Sequence, residues 1–386
     1  MNFSEIKAQE EVYVVHSYGR VQVALEKGKN ATAWDADGKK YVDFTSGIGV
    51  NALGFCDEGW QKAVTNQIAK IQHISNYYYN SSNTKLAMLL SKVANLKKTF
   101  FCNSGAEANE CAIKTARKYG ERKGAHKIIT LDQSFHGRTK TTLAATGQDS
   151  FHQEFQPLTE GFLYAQPNDI ESVKALIDET VCAVMIETVQ GEGGVNLISE
   201  SFIKDLRMLC DSEDILLVLD EVQTGIGRTG SFFSYQEFGV LPDILTCAKG
   251  LAGGLPIGIC MMGEKTCELL QPGMHGSTFG GNPVSCAAAI EVVERVNTPE
   301  FLESVKEKAD YFRAELSKIP QIKSVCGRGL MLGMEIEGSA VEVMKKCAEN
   351  GLLVLTAKTK IRFLPPLTIT KQEIDEGLAI FKKILA

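Results

Sequence analysis

Several things are scarce in this 386-residue chain, and each scarcity excludes a class of protein. Prolines number 10 and tryptophans 2, and no low-complexity segment or internal repeat is visible, so collagen-like and disordered polymers are excluded. Positive charge is in deficit: 41 Lys and Arg face 47 Asp and Glu, a net charge of −6. That balance argues against nucleic acid or an anionic membrane as the main partner. Long apolar runs are missing too. The longest uncharged stretch, Leu269 to Ile290, is interrupted by Pro272, His275, Asn282, Pro283 and several glycines, too polar to cross a bilayer. The first twenty residues carry Glu5, Lys7, Glu10 and Glu11 around no apolar core, which predicts no secretory signal. Finally, the eleven cysteines contain no CxxC pair. An odd number of widely spread thiols predicts small core residues in a reducing cytosol, with neither a disulfide framework nor a metal site.

What is present is ordinary for a soluble globular enzyme: 44% hydrophobic and 23% charged residues, in a chain long enough for two to three domains. The 35 glycines are the one excess, and their use depends on whether they cluster where backbone must approach a ligand.

Hydrophobic periodicity divides the chain. Ala31 to Phe44 reads as a hairpin around Asp37-Gly38. Between residues 46 and 290, apolar runs (Thr99 to Cys102, Lys127 to Leu131, Val181 to Ile186, Ile215 to Leu219, Ile244 to Cys247, Ile257 to Met262) alternate with helical stretches such as Glu107 to Tyr119 and Ser201 to Cys210. This alternation predicts an α/β domain on a largely parallel sheet. After it come a helix from Pro299 to Lys318, strand-like segments Gly329 to Ile336 and Lys360 to Phe363, and a last helix opened by the capping box Thr370-Lys-Gln-Glu. Residues 1–45 and 291–386 are expected to form a second, smaller α/β domain.

Four segments point to chemistry. The strand KTFFC runs into Ser104-Gly105-Ala106-Glu107, a capping-box pattern that offers bare N–H groups for an anion at a helix start, and that would equally suit a plain strand-to-helix turn. ILLVL ends in Asp220, and 29 residues later DILTCAK ends in Lys249. Ligands of open α/β sheets lie at the carboxyl ends of strands, so both groups are placed to face one crevice, where the aspartate can pair with a cationic ring nitrogen and the lysine with a carbonyl. Phe135 and Arg138, after KIITL, put a flat ring beside a basic side chain. His275 to Pro283 offers the hydroxyls of Ser277 and Thr278 on a glycine-loosened loop.

Gly225-Ile226-Gly227-Arg228-Thr229-Gly230 fits the dinucleotide fingerprint and raises a nicotinamide oxidoreductase as a rival reading. Its context fails the motif: five residues separate the strand from the first glycine, and SFFSYQEFG beyond it has no helical period.

In order along the chain, NSGAEANE, FHGRT, QGEGG, LDEVQTGIGRTG, the lysine of CAKGLAGGLPIG, and HGSTFGGNP resemble the class III pyridoxal-phosphate-dependent ω-aminotransferases of fold type I, and within them the acetylornithine aminotransferases. YGR at Tyr18, WDADGKKYVDF and RFLPPLTIT extend the resemblance over nearly the whole chain. It implies a large domain with a mostly parallel seven-stranded sheet, a smaller α/β domain, and pyridoxal 5′-phosphate as cofactor. Lys249 resembles the lysine that forms the Schiff base and then moves the proton. Asp220 resembles the partner of the ring nitrogen, Gln223 that of the ring phenolate, and Phe135 and Val222 the two ring flanks. Ser104, Gly105 and Ala106 would hold the phosphate together with Thr278 of a partner subunit, which implies a homodimer. Arg138, Arg362, Glu192 and Ser277 resemble substrate-binding residues. The implied substrates are N-acetylornithine and 2-oxoglutarate, with succinylornithine, ornithine or 4-aminobutyrate as alternative amine donors. A non-catalytic scaffold relative would be expected to have lost Lys249 or Asp220. Three departures, at Gly54 to Glu58, Thr188 and Lys140, touch no implied cofactor contact; the Phe55 region and Lys140 are expected at the pocket rim.

Overall fold

Seven short strands form the central sheet in the computed structural model, which describes residues 1–386. In chain order they are β1 (Lys98–Cys102), β2 (Lys127–Leu131), β3 (Phe162–Ala165), β4 (Val181–Glu187), β5 (Leu216–Asp220), β6 (Ile244–Cys247) and β7 (Gly258–Met262). Their spatial order is β1-β7-β6-β5-β4-β2-β3. All neighbours are parallel except those of β7, which runs antiparallel to both β6 and β1. Every residue of β4 and β5 is buried, as strands covered by helices on both faces must be. Burying each Leu, Val or Ile there contributes about 1.5–3 kcal/mol, which offsets the cost of carrying Glu187 and Asp220 inside at the strand ends.

Six of the seven strands match apolar runs in the sequence. The seventh, β3, escaped because it is a four-residue edge strand with only Ala165 fully buried. Helix α1 (Gly105–Gly120) follows β1 directly. It starts two residues before the expected Glu107, and its capping box is only half formed. The Ser104 hydroxyl accepts from the Glu107 N–H (3.2 Å), while the Glu107 carboxylate reaches one residue further back, to the N–H of Asn103 (2.8 Å). Helix α2 (Pro283–Val296) was not foreseen, and it runs straight through residue 290, where the sequence pattern had suggested a boundary.

The remaining elements join both ends of the chain. Strands Leu25–Lys29, Thr32–Asp35 and Lys40–Asp43 form an antiparallel sheet that Leu352–Leu353 completes in parallel. After α3 (Pro299–Leu316), strands β8 (Ile322–Arg328), β9 (Met331–Ile336), β10 (Leu355–Ala357) and β11 (Lys360–Phe363) form a second sheet in the order β8-β9-β11-β10. The last helix, α4 (Lys371–Leu385), has the predicted capping box from Thr370 to Glu373. Phe44, Phe312, Phe363 and Phe381 meet edge to face at 4.9–5.2 Å, so N-terminal and C-terminal segments share one core.

All eleven cysteines are free thiols. Eight are buried, but Cys56 is exposed and Cys267 and Cys326 are partly so, which corrects the expectation that all are core residues. No helix is long and apolar enough to cross a membrane. The Gly225 to Gly230 loop opens no helix, which removes the dinucleotide reading: turns run from Val222 to Thr229 and the next element is a short 3-10 helix, Ser234–Phe238.

Candidate active site

A cavity of about 620 Å³ opens at the carboxyl ends of β1, β2, β4, β5 and β6. It gathers Ser104, Gly105, Ala106, Phe135, Arg138, Asp220, Val222, Gln223 and Lys249 from four separate segments.

One end suits an anion. Ser104 caps α1, so the free N–H groups and positive dipole end of a 16-residue helix face the cavity. Gly105 is required by close approach: a Cβ there would stand 2.7 Å from the Val222 side chain, so any larger residue would push α1 off the β5 loop and spoil the cradle.

Asp220 is 3% exposed, and it is held by three donors. His136 Nδ1 lies 2.8 Å from its Oδ2, Asn109 Nδ2 lies 2.7 Å from the same oxygen, and the Val222 N–H donates to Oδ1 at 3.0 Å. Because a carboxylate only accepts, His136 must carry its hydrogen on Nδ1. Asn109 is fixed in turn by donating to the His136 carbonyl (2.7 Å) and accepting from Thr246 Oγ1 (2.6 Å). A charge so held is aimed at whatever cation lies above it.

Lys249 stands just beyond β6 with φ 37°, a left-handed conformation that costs a non-glycine residue on the order of 1 kcal/mol and is tolerated mainly where function holds it. Burial pushes its amine below the ordinary lysine range, against the pull of Glu192 and Asp220. A depressed lysine is a better nucleophile and base near neutrality. Glu187, at the end of β4, is opposite Asp220 in the sheet register and accepts from the Phe135 N–H (2.9 Å). Burial, assisted by Asp220 and opposed by His136, raises it to about 7.

On another side, the Arg362 guanidinium, carried by β11, is buried against Glu192 (2.7 Å), the Gln223 side-chain oxygen (3.1 Å) and the Gly191 carbonyl (3.0 Å), all through one nitrogen. Its Nε is buried without a partner. Gln223 also donates to Glu192 at 3.3 Å and lines the cavity, so it connects this ion pair to the Lys249 site. Burial alone would raise Glu192, but Arg362 outweighs it and holds the carboxyl below its usual range. Arg138 differs: it has no acidic partner, and its guanidinium lies 4.1 Å from the Phe151 ring and 5.6 Å from that of Phe135.

Four predicted residues fall outside the lining of this cavity: Arg362 and Glu192, which join it through Gln223, and Ser277 and Thr278. Ser277 lines a neighbouring cleft and touches the site only through Asn103 (3.3 Å), and Thr278 is exposed on the surface of its own chain. The departures at Phe55, Thr188 and Lys140 do not line the cavity, contrary to the rim position expected for the Phe55 region and Lys140. Phe55 packs on Gly28, Thr188 is buried, and Lys140 donates to the Phe155 carbonyl (2.5 Å), bracing the segment that carries Phe151. Conversely, Asn109, His136 and Glu187 were not assigned roles. Glu187 was legible by the strand-end rule that found Asp220, had β4 been carried one residue further; Asn109 and His136 needed the packing of α1 on the sheet.

These residues fit pyridoxal phosphate. The helix start and the Gly105 cradle suit its phosphate, Asp220 its ring nitrogen, Phe135 and Val222 its two faces, and Lys249 its aldehyde. The buried His136 Nε2, which has no partner in the chain, marks unfilled polar capacity beside Asp220.

Comparison with known proteins agrees with this geometry. Residues 13–385 match the family Aminotransferase class-III. An acetylornithine aminotransferase of Haemophilus ducreyi is 47% identical with all of both chains covered, and one of Aquifex aeolicus is 46% identical over 97% of this chain and all of that one. Among solved structures, N-acetylornithine aminotransferase of Stenotrophomonas maltophilia is 35% identical, with a TM-score of 0.85, covering 98% of this chain and 97% of the other. Ornithine aminotransferase of Toxoplasma gondii, described with pyridoxal phosphate partly occupying its active site, is 32% identical with a TM-score of 0.93 over 99% and 94% of the two chains.

Proposed function

The chain belongs to the class III aminotransferases, and on that premise we propose that it transfers the δ-amino group of N-acetylornithine to 2-oxoglutarate, giving N-acetylglutamate 5-semialdehyde and glutamate, a step of arginine biosynthesis. The observation that carries the substrate reading is the pairing of Arg362 with Glu192 beside a free Arg138.

Pyridoxal 5′-phosphate, when bound, supplies an aldehyde to join the amine and a ring that accepts electrons from the substrate carbon. The chain's own residues do the rest. The N–H groups at Ser104, Gly105 and Ala106 hold the phosphate, and Asp220 keeps a proton on the ring nitrogen. Phe135 and Val222 would hold the ring in place between them, and Gln223 would hydrogen-bond its phenolate oxygen. Lys249, its amine depressed by burial, would anchor the cofactor's aldehyde and, once free, would serve as the base that takes the proton from the substrate carbon. Arg138 grips the α-carboxylate of the acylated ornithine, or the γ-carboxylate of glutamate. Arg362 grips the glutamate α-carboxylate, and Glu192 neutralises it when the ω-amine donor, with no carboxylate beside its reacting amine, is in place.

The active unit is a homodimer with Thr278 completing the partner's phosphate site. In support, Tyr77 and Tyr79 (95% and 103% exposed) and Phe279 (60%) stand out around Thr278, and Asn76 ties the two loops together through the carbonyls of Ser277 (2.9 Å) and Gly280 (3.0 Å). Mixing Lys249→Ala chains with Thr278→Arg chains should restore activity that neither has alone, since one hybrid site keeps both residues. Inactive mixtures of demonstrated heterodimers would count against this arrangement.

Steady-state rates test the substrate. N-acetylornithine should have a higher kcat/KM than succinylornithine, ornithine or 4-aminobutyrate, and Arg138→Lys should lower it by about 10²-fold through loss of the bidentate grip. A higher value for ornithine or 4-aminobutyrate would refute N-acetylornithine as the donor.

A further inference from the structure

Arg228, in the Gly225 to Gly230 loop, is 2% exposed, among the largest fully buried side chains, and meets no carboxylate. A buried guanidinium without a counter-ion is costly, and burial pushes it down to about 9. Its contacts explain what that cost secures. One nitrogen donates to both the Leu330 carbonyl (3.1 Å) and the Pro365 carbonyl (2.5 Å), and the other lies 3.5 Å from Ser46 Oγ.

Those two carbonyls are a matched pair. β9 and β11 are antiparallel with Leu332 opposite Phe363 and Gly333 opposite Arg362, and the same register carried two residues further sets Leu330 opposite Pro365. The ladder cannot close there, because proline has no N–H to give the Leu330 carbonyl. The N–H of Leu330 is also turned away, donating to the Arg228 carbonyl (2.9 Å), while Leu364 donates on the far side to Phe44 (2.8 Å). The Arg228 side chain therefore substitutes for the missing rung, and its backbone takes the remaining donor. Gly329 (φ 52°) permits this: a Cβ would stand 2.4 Å from the Arg228 carbonyl oxygen.

The rung lies three residues from Arg362, at the open end of the strand pair that carries it. It also ties that end to the loop holding Gln223, which contacts Arg362 at 3.1 Å. We infer that Arg228 is a positioning residue for the Arg362 carboxylate site, clasping the exit of β11 to the entrance of β9 so that the guanidinium is held in register with the cofactor-side loop. This deepens the proposed reading of Arg362 as the clamp for the α-carboxylate of glutamate. The Arg138 clamp stands on the loop after β2, outside this strand pair, so the two half-reactions should respond differently.

The test compares cofactor-loaded wild type, Arg228→Met and Arg228→Lys. Glutarate, an unreactive dicarboxylate, reports the carboxylate sites by calorimetry, and spectral change in single turnovers reports each half-reaction. For Arg228→Met the glutarate dissociation constant is expected to rise roughly tenfold and the glutamate half-reaction to slow by a similar factor. The N-acetylornithine half-reaction should change less than about threefold. Arg228→Lys, with a smaller head to bridge two carbonyls, should fall between and decides the matter if the methionine variant does not fold. Equal losses in both half-reactions, or no loss in either, would overturn the positioning role. If wild type itself neither binds glutarate nor reacts with glutamate, the reading of Arg362 fails; if wild type does both and the variants match it, only this inference fails.

Discussion

Lys249→Ala is expected to lower turnover by on the order of 10⁴-fold or more, because one side chain serves as both the covalent attachment point and the proton carrier. Its fold should persist. The site already bears the cost of burying an amine, and alanine at φ 37° is no more strained than lysine, so the thermal midpoint of the cofactor-free variant should lie within about 3 °C of wild type. Borohydride should fix the cofactor covalently to wild type but not to the variant. Turnover above about 1% of wild type would remove Lys249 from its assigned role.

Asp220→Asn is expected to cost on two accounts. The carboxylate accepts from His136, Asn109 and the Val222 N–H, and an asparagine would turn an NH₂ toward at least one of these donors. An unsatisfied buried donor costs about 1–3 kcal/mol, so the variant should be measurably less stable to denaturant. Turnover should fall by about 10²–10³-fold or more, as for loss of a preorganised group facing developing charge. A cofactor methylated on its ring nitrogen carries that charge permanently. If Asp220 acts on this nitrogen, reconstitution with the methylated cofactor should recover part of the lost rate; a purely structural aspartate would show no recovery.

Much of this site was legible without coordinates because its chemistry sits on local signals. Asp220 and Lys249 each end an apolar run, and Ser104 to Glu107 announces a helix start. The sequence pattern was less reliable where several local solutions are compatible. Glu107 satisfied the pattern of a capping box yet bonded to Asn103, since the loop before α1 offered a second free N–H within reach. Helix α2 was hidden because its first half lies in an uncharged stretch whose prolines and glycines resemble loop. Strand β3 was too short and too exposed to show a period.

By itself, the sequence determined the sheet-based α/β architecture and the one-dimensional order of the binding segments, because strand periodicity, caps and glycine turns are read within a few residues of one another. Only the tertiary structure decided which groups meet. Glu187 lies beside Asp220 because β4 and β5 are in parallel register, and His136 and Asn109 reach that carboxylate because α1 packs on the sheet. Arg362 comes to Glu192 across 170 residues, and Arg228 supplies the rung that Pro365 cannot. Contacts of that sequence separation depend on how whole elements pack, and no local propensity encodes them.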